Sequence, residues 1–141
     1  MTSGLIAVAA VLAVALVAGL AWQRSNGRIR EVRAVSTTAA PALTGAQLGR
    51  PLGARATLVQ FSSAFCAPCR ATRRILAEVA GMVDGVAHVE IDAETHLDLV
   101  KSLGIRRTPT ILVLGPDGTI ARRASGQPRK ADVIAALGEV V

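Results

Sequence analysis

Hydrophobic and polar positions follow three different patterns along this chain. From Gly4 to Trp22 the run GLIAVAAVLAVALVAGLAW carries no charged residue. As a helix those 19 residues rise roughly 28 Å, close to the ~30 Å apolar core of a bilayer. Trp22 closes the run where an indole ring sits at headgroup level. The run predicts one membrane-spanning helix over residues 4–22. A cleaved signal peptide is the competing reading. It is disfavoured because no Lys or Arg precedes Leu5 and because the run is longer than most signal cores. No Cys lies near its end, so a lipoprotein site is not expected. Residues 23–41 (QRSNGRIREVRAVSTTAAP) are polar, rich in Ser, Thr and Ala, and end at a proline. They predict a basic juxtamembrane tether with at most a short strand toward its end.

From Ala42 to Val141 the pattern becomes that of a compact α/β domain. Thr44 is placed to cap a short helix through Leu48. Thr57–Phe61, Val86–Ile91 and Thr110–Leu114 are short β-prone runs that predict strands. A helix is expected from Cys66 to Ala80, with Pro68 in its first turn and Gly81 at its end. A second is expected from a Thr95 cap to Leu103, stopped by Gly104. Gly115-Pro116-Asp117-Gly118 is a turn signal, after which Thr119–Ser125 returns as a strand. Arg129–Val140 predicts a closing helix with Val133, Ile134, Leu137 and Val140 on one side. The order is β-α-β-α-β-β-α. Strand-helix-strand alternation leads us to expect parallel pairing, with an antiparallel edge from the last hairpin: a mixed central sheet flanked by helices. About 100 residues suffice for one such core.

Charge alters this picture mainly near the apolar run. The net charge is +6, divided evenly between residues 1–41 and the rest. Arg24, Arg28, Arg30 and Arg33 follow the apolar run closely, while residues 1–3 carry no Lys or Arg. The positive-inside rule then predicts a single-pass cell-membrane protein with its domain in the cytoplasm, an exported domain being the alternative. The same arginines suit anionic lipid headgroups. Only three aromatic residues are present, too few for base-stacking platforms, and nucleic acid is not an expected partner.

Both cysteines of the chain fall in Phe65-Cys66-Ala67-Pro68-Cys69-Arg70. A purely structural disulfide here would close a loop worth only about 2 kcal/mol, against roughly 4.7 for a hundred-residue loop. Zinc would need further ligands, and His88 and His96 are wrongly spaced from the pair. Redox chemistry fits better. A strand-to-helix loop delivers Cys66 to a helix N-terminus, where unpaired N–H groups and the helix dipole favour a thiolate. Cys69 follows one turn inward, placed to resolve a mixed disulfide formed on Cys66.

Residues 42–141 resemble the thioredoxin family in four segments that occur in order. These are Phe61 to Arg70, Val86 to Asp92, Gly104-Ile105-Arg106-Arg107-Thr108-Pro109-Thr110, and Asp117-Gly118 through Gly126. The resemblance implies a thioredoxin-like fold and a protein-disulfide reductase using a Cys66–Cys69 dithiol, with no other cofactor and no metal. It implies a cis Thr108–Pro109 bond beside the cysteines, and a substrate groove formed by Phe65, Ala67, Pro68, Thr108, Pro109 and Gly126. It implies protein disulfides as substrates and a dithiol or reductase as electron donor. On the family scale the potential would fall roughly between −270 and −200 mV.

Four positions depart from the family pattern. Phe65 replaces the usual tryptophan, Ala67 a glycine, Gln60 a buried aspartate and His88 the lysine that pairs with it. Gln60 cannot take up a proton, so His88 is a candidate for proton transfer, against the blander reading of a hydrogen-bonded core histidine. His96 is expected on an exposed helix surface, and Asp92 and Glu94 in a turn. Arg70, Arg73 and Arg74 are candidates for attracting acidic partners. Two alternatives remain for function: an exported thiol reductase of the cytochrome c maturation type, and a non-catalytic redox-sensing partner of a membrane protein.

Overall fold

A computed structural model describes residues 2–32 and 41–141. Helix α1 (Thr2–Ser25) contains the whole apolar run. Its hydrophobic side chains are exposed, and nothing from Gly4 to Asn26 is buried against the domain.

The domain is built on a sheet of five strands. They are β1 (Arg30–Glu31), β2 (Ala56–Ser62), β3 (Val86–Asp92), β4 (Thr110–Leu114) and β5 (Ile120–Ser125), in the spatial order β1-β5-β4-β2-β3. Every residue of β2 is buried, as expected of a strand covered on both faces. One face carries Leu58, Ile111, Val113 and Ala124 against helices α3 (Ala67–Met82) and α5 (Lys130–Gly138). The other carries Val59, Phe61, Ile91 and Leu112 against α2 (Gly45–Leu48) and α4 (Leu97–Ser102). Phe61 is fully buried, and truncating it to Ala would cost about 3–5 kcal/mol.

Helix α2 is as predicted: Thr44 and Gln47 form a reciprocal capping box, and Gly49 ends the helix in the left-handed region. Helix α3 buries Cys69, Thr72, Leu76 and Val79, a stripe at helical spacing. It runs through Gly81, which does not end it. His96 and not Thr95 occupies the N-cap of α4. In α5 the buried residues are Val133, Ala136 and Leu137; Ile134 lies off this stripe and is 43% exposed.

One larger expectation needs correction. Strand β3 is parallel to β2, but β4 is antiparallel to it despite the intervening helix. A six-residue helix rises only about 9 Å, whereas a seven-residue strand extends about 23 Å. The α4 connection therefore turns back at the end of the sheet where β3 finished. Within the stretch expected as a tether, residues 23–41, the described part carries a short strand. Arg30 and Glu31 pair with Arg123 and Arg122, and the Val32 amide donates to the Ala121 carbonyl. Pro41 and Leu43 then bond to Ile120 and Gly118. Residues 33–40, Arg33 among them, lie outside the described residues.

Candidate active site

The register places four strand termini together. Phe61 pairs with Thr110, Ser62 with Asp92, and Thr110 with Ser125. The C-terminal ends of β2, β3 and β5 and the start of β4 thus share one end of the sheet, and the β2–α3 loop opens there.

Cys66 and Cys69 are joined by a disulfide with Cα atoms 5.2 Å apart. Cys66 is the N-cap of α3, and its sulfur accepts from the Cys69 amide at 3.2 Å. Pro68 occupies the first turn, where no intrahelical N–H is lost. Cys69 is 2% exposed while Cys66 is half-buried, so only the first sulfur is open to a large partner. Phe65, beside it, is 99% exposed.

Gln60 lies fully buried behind the pair. Its Nε2 donates to the Cys69 carbonyl at 2.8 Å and to Ser62 Oγ at 2.9 Å. Its Oε1 is buried without a partner. Gln60 therefore fixes the backbone of Cys69 and, as an amide, holds no proton for the thiol.

The Thr108–Pro109 bond is cis. Thr108 Oγ1 lies 3.0 Å from Ser63 Oγ, which ties this loop to the one that precedes Cys66. The Pro109 carbonyl accepts from the Gly126 amide at 2.7 Å. Gly126 has φ +96°, and a Cβ there would meet Asn26 Oδ1 at 2.2 Å. Part of the wall expected around Gly126 is thus covered by the end of the helix-to-domain junction.

A cleft of about 470 Å³ opens beside the disulfide, lined in part by Ser62, Arg70, Arg73, Glu90 and both cysteines. Glu90 is the functional candidate that sequence reasoning missed. Arg73 donates to both its carboxylate oxygens, at 2.6 and 2.8 Å. Burial pushes the Glu90 carboxyl upward, but hydrogen bonds from Arg73 and Ser62 and the Arg73 charge outweigh it, so its pKa is lowered. The available signal was positional: Glu90 is the cross-strand neighbour of Gln60. Arg73 is exposed but paired with Glu90, which leaves Arg70 and Arg74 as the exposed cations of this helix without an ion-pair partner among the described residues.

His88 pairs across the sheet with Leu58 and does not line the cleft. Its pKa is lowered, chiefly by burial, and its Nε2 has no hydrogen-bond partner. His96 is exposed, with Nδ1 3.0 Å from the Asp92 carbonyl oxygen, and the Asp92 side chain accepts from the Glu94 amide in the turn. Among the described residues no group of three or more His, Cys, Asp or Glu is placed to hold a metal ion.

Comparison with known proteins gives a consistent result. The thioredoxin family model matches residues 47–139. Over 60 residues the chain is 40% identical to protein disulfide isomerase-like 2-3 of Oryza sativa subsp. japonica, a match covering 42% of this chain but only 14% of that protein. Among solved structures, chloroplastic thioredoxin z is similar with a TM-score of 0.57 at 27% identity, over 74% of this chain and 96% of its own. Mitochondrial thioredoxin 3 from Saccharomyces cerevisiae, at 19% identity and a TM-score of 0.54, covers 60% of this chain and 78% of its own, a likeness of fold.

Proposed function

Because the chain belongs to the thioredoxin family, we propose that it is a membrane-tethered reductase of protein disulfides. The observation that carries the chemistry is the unequal burial of two sulfurs on one helix turn: Cys66 half-open, Cys69 buried. In the reduced protein the Cys66 thiolate attacks one sulfur of a substrate disulfide. That S–S bond breaks, one substrate thiolate leaves, and a mixed disulfide forms on Cys66. Cys69 loses its proton and attacks Cys66 Sγ, releasing the second substrate thiolate. Two electrons pass to the substrate, and the Cys66–Cys69 disulfide is the product state. A dithiol or dithiol reductase returns the electrons, and the cysteine pair needs no further cofactor.

Phe65, Ala67 and Pro68 form one wall of the substrate groove in this reading, and Thr108, Pro109 and the edge of Gly126 the other, with the Thr108 backbone pairing to an extended chain. Gln60 positions Cys69. Glu90, in the cleft beside the pair, is a better placed carboxylate than His88 is a base. The tether is α1: within Gly4–Ser25 a window of 18 residues reaches mean hydropathy 2.7 and is unburied. Arg24 in its last turn, and Arg28 and Arg30 beyond it, favour a cytoplasmic domain.

A Cys69→Ser variant tests the chemistry, since it should hold substrates on Cys66 as adducts released by dithiothreitol. Absence of adducts, with insulin reduction by the unaltered protein no faster than dithiothreitol alone, would overturn the reductase reading. A reporter fused after Val141 tests the side of the membrane. Phosphatase activity there, without cytoplasmic fluorescence, would place the domain on the exported side.

A further inference from the structure

The way the chain passes from α1 into the sheet sets where the redox pair stands relative to the helix. The Asn26 amide donates to the Trp22 carbonyl, ending α1 in a tight turn. The next amide, of Gly27, donates to the Ser125 carbonyl at 2.9 Å. Gly27 is buried with φ +77°, and a Cβ on it would lie 1.9 Å from the Gln127 carbonyl oxygen. Only glycine fits there, so the junction is clamped. Ser125 ends β5 at the same end of the sheet as Ser62 and the cysteine loop. Arg30 and Glu31 then run antiparallel to β5, away from that end.

The distances are short. Four residues separate Trp22 from Gly27, and three helical steps with two extended ones span at most about 12 Å of chain. From β5 to β2 is two strand spacings, roughly 10 Å. The sheet end bearing Cys66 therefore lies close to the level of Trp22. At this end stand Phe65, 99% exposed, and the exposed cations Arg70, Arg106 and Arg107, beside the exposed acids Asp92 and Glu94. An exposed apolar ring among cations is the chemistry of a lipid-headgroup surface.

We infer that the Cys66 end of the domain faces the bilayer, so that the pair exchanges with disulfides displayed at the membrane surface by integral membrane proteins. The inference rests on α1 being a membrane anchor. A loosely tethered domain would reach soluble substrates in any orientation; this one is clamped with its reactive end toward the lipid.

Quenching by lipids brominated near the headgroup tests it, using full-length protein in phosphatidylcholine–phosphatidylglycerol vesicles. The unaltered chain reports Trp22, its only tryptophan. The double variant Trp22→Phe/Phe65→Trp reports the position beside Cys66. Both are expected to lose most of their emission. Quenching of Trp22 without quenching at position 65 would overturn the inference while leaving the anchor standing. No quenching of Trp22 would remove the anchor, and the inference with it. Inserting a flexible Gly/Ser segment of about ten residues between Ser25 and Asn26 should abolish quenching at position 65 and spare that of Trp22. Unchanged quenching after insertion would show that the clamp does not set the orientation, and would overturn it. In the same vesicles, the reduced, unaltered protein should reduce a lipid-anchored disulfide peptide held at the headgroups several-fold faster than the same peptide on a long spacer. Equal rates would refute the proposed class of substrate.

Discussion

The β2–α3 corner and the Asn26–Gly27 junction occupy the same end of the sheet and are held by opposite kinds of contact. At the corner, Cys66 caps its own helix and meets Cys69 three residues later. At the junction, Asn26 and Gly27 are held by Ser125, Gly126 and Gln127, at the far end of the chain. The corner is chemically rich and locally encoded. The junction carries no reactive group, and its geometry exists only once β5 is in place. Reactivity and orientation are thus specified separately, and each can be removed without the other.

The largest effect should come from the corner. Cys66→Ser should bring insulin reduction by the full-length protein down to the uncatalysed rate, since the remaining cysteine, Cys69, is buried. Far-ultraviolet circular dichroism of that variant should be unchanged. Residual turnover well above background would break the assignment of attacker and resolver.

The junction should respond in the opposite sense, losing stability before chemistry. Gly27→Ala places a Cβ 1.9 Å from a backbone oxygen at φ +77°, and should cost about 2 kcal/mol or more in urea unfolding. Gly49→Ala is the control: its φ of +65° is similarly left-handed, but nothing lies within 4 Å of the added Cβ. Its cost should stay near about 1 kcal/mol, the conformational strain alone. Equal losses at the two sites would mean that the close approach at Gly27 relaxes freely, and that the clamp is weak.

The same contrast explains what could be read in the sequence. Strands β2, β3 and β4, the helix behind Cys66 and the Thr44 cap follow from periodicity and from residues within one turn of each other. The cysteine pair and the proline at 109 are likewise local signals. The direction of β4 was not legible, because alternation of elements says nothing of how far a connecting helix travels, and α4 is too short to cross the sheet. Nor was the pairing of Arg30 and Glu31 with β5, since two polar residues in a polar stretch carry no strand signal. Glu90 escaped because its importance comes from Gln60 and Ser62 on the neighbouring strand and from Arg73 on the helix above.

Glu90→Gln should sharpen the description of the corner with a smaller effect. The Arg73–Glu90 pair is partly solvated, its side chains 52% and 27% exposed, so stability at neutral pH should fall by less than about 1 kcal/mol. Resolution of the mixed disulfide, followed by stopped flow, should change by a few-fold as Arg73 is released into the cleft. The folded-state pKa of Glu90 is lowered from an ordinary 4.5. Its contribution is therefore present above that value and lost as pH falls through the folded pKa. The variant should lose that part of the acid dependence. An unchanged rate and an unchanged acid limb would leave the pair as surface decoration.

His88 offers the finest division between supporting the site and acting in it. Burial lowers its pKa from 6.5, so the folded domain holds it neutral while the unfolded chain protonates as pH falls below that value. Below 6.5 the unfolded state binds more protons, and stability declines until the pH has fallen through the folded pKa. This window opens above that of Glu90, so the loss owed to His88 is expected to set in first as urea midpoints are followed from pH 7.5 to 3. His88→Leu should remove that first loss. It should cost little at pH 7.5, because the imidazole Nε2 is already without a partner. The disulfide-reduction rate between pH 6 and 8 should keep its shape, since His88 does not reach the cleft beside Cys69. A rate profile that moves while the stability limb stays would reverse this division and put the histidine on the proton path to Cys69.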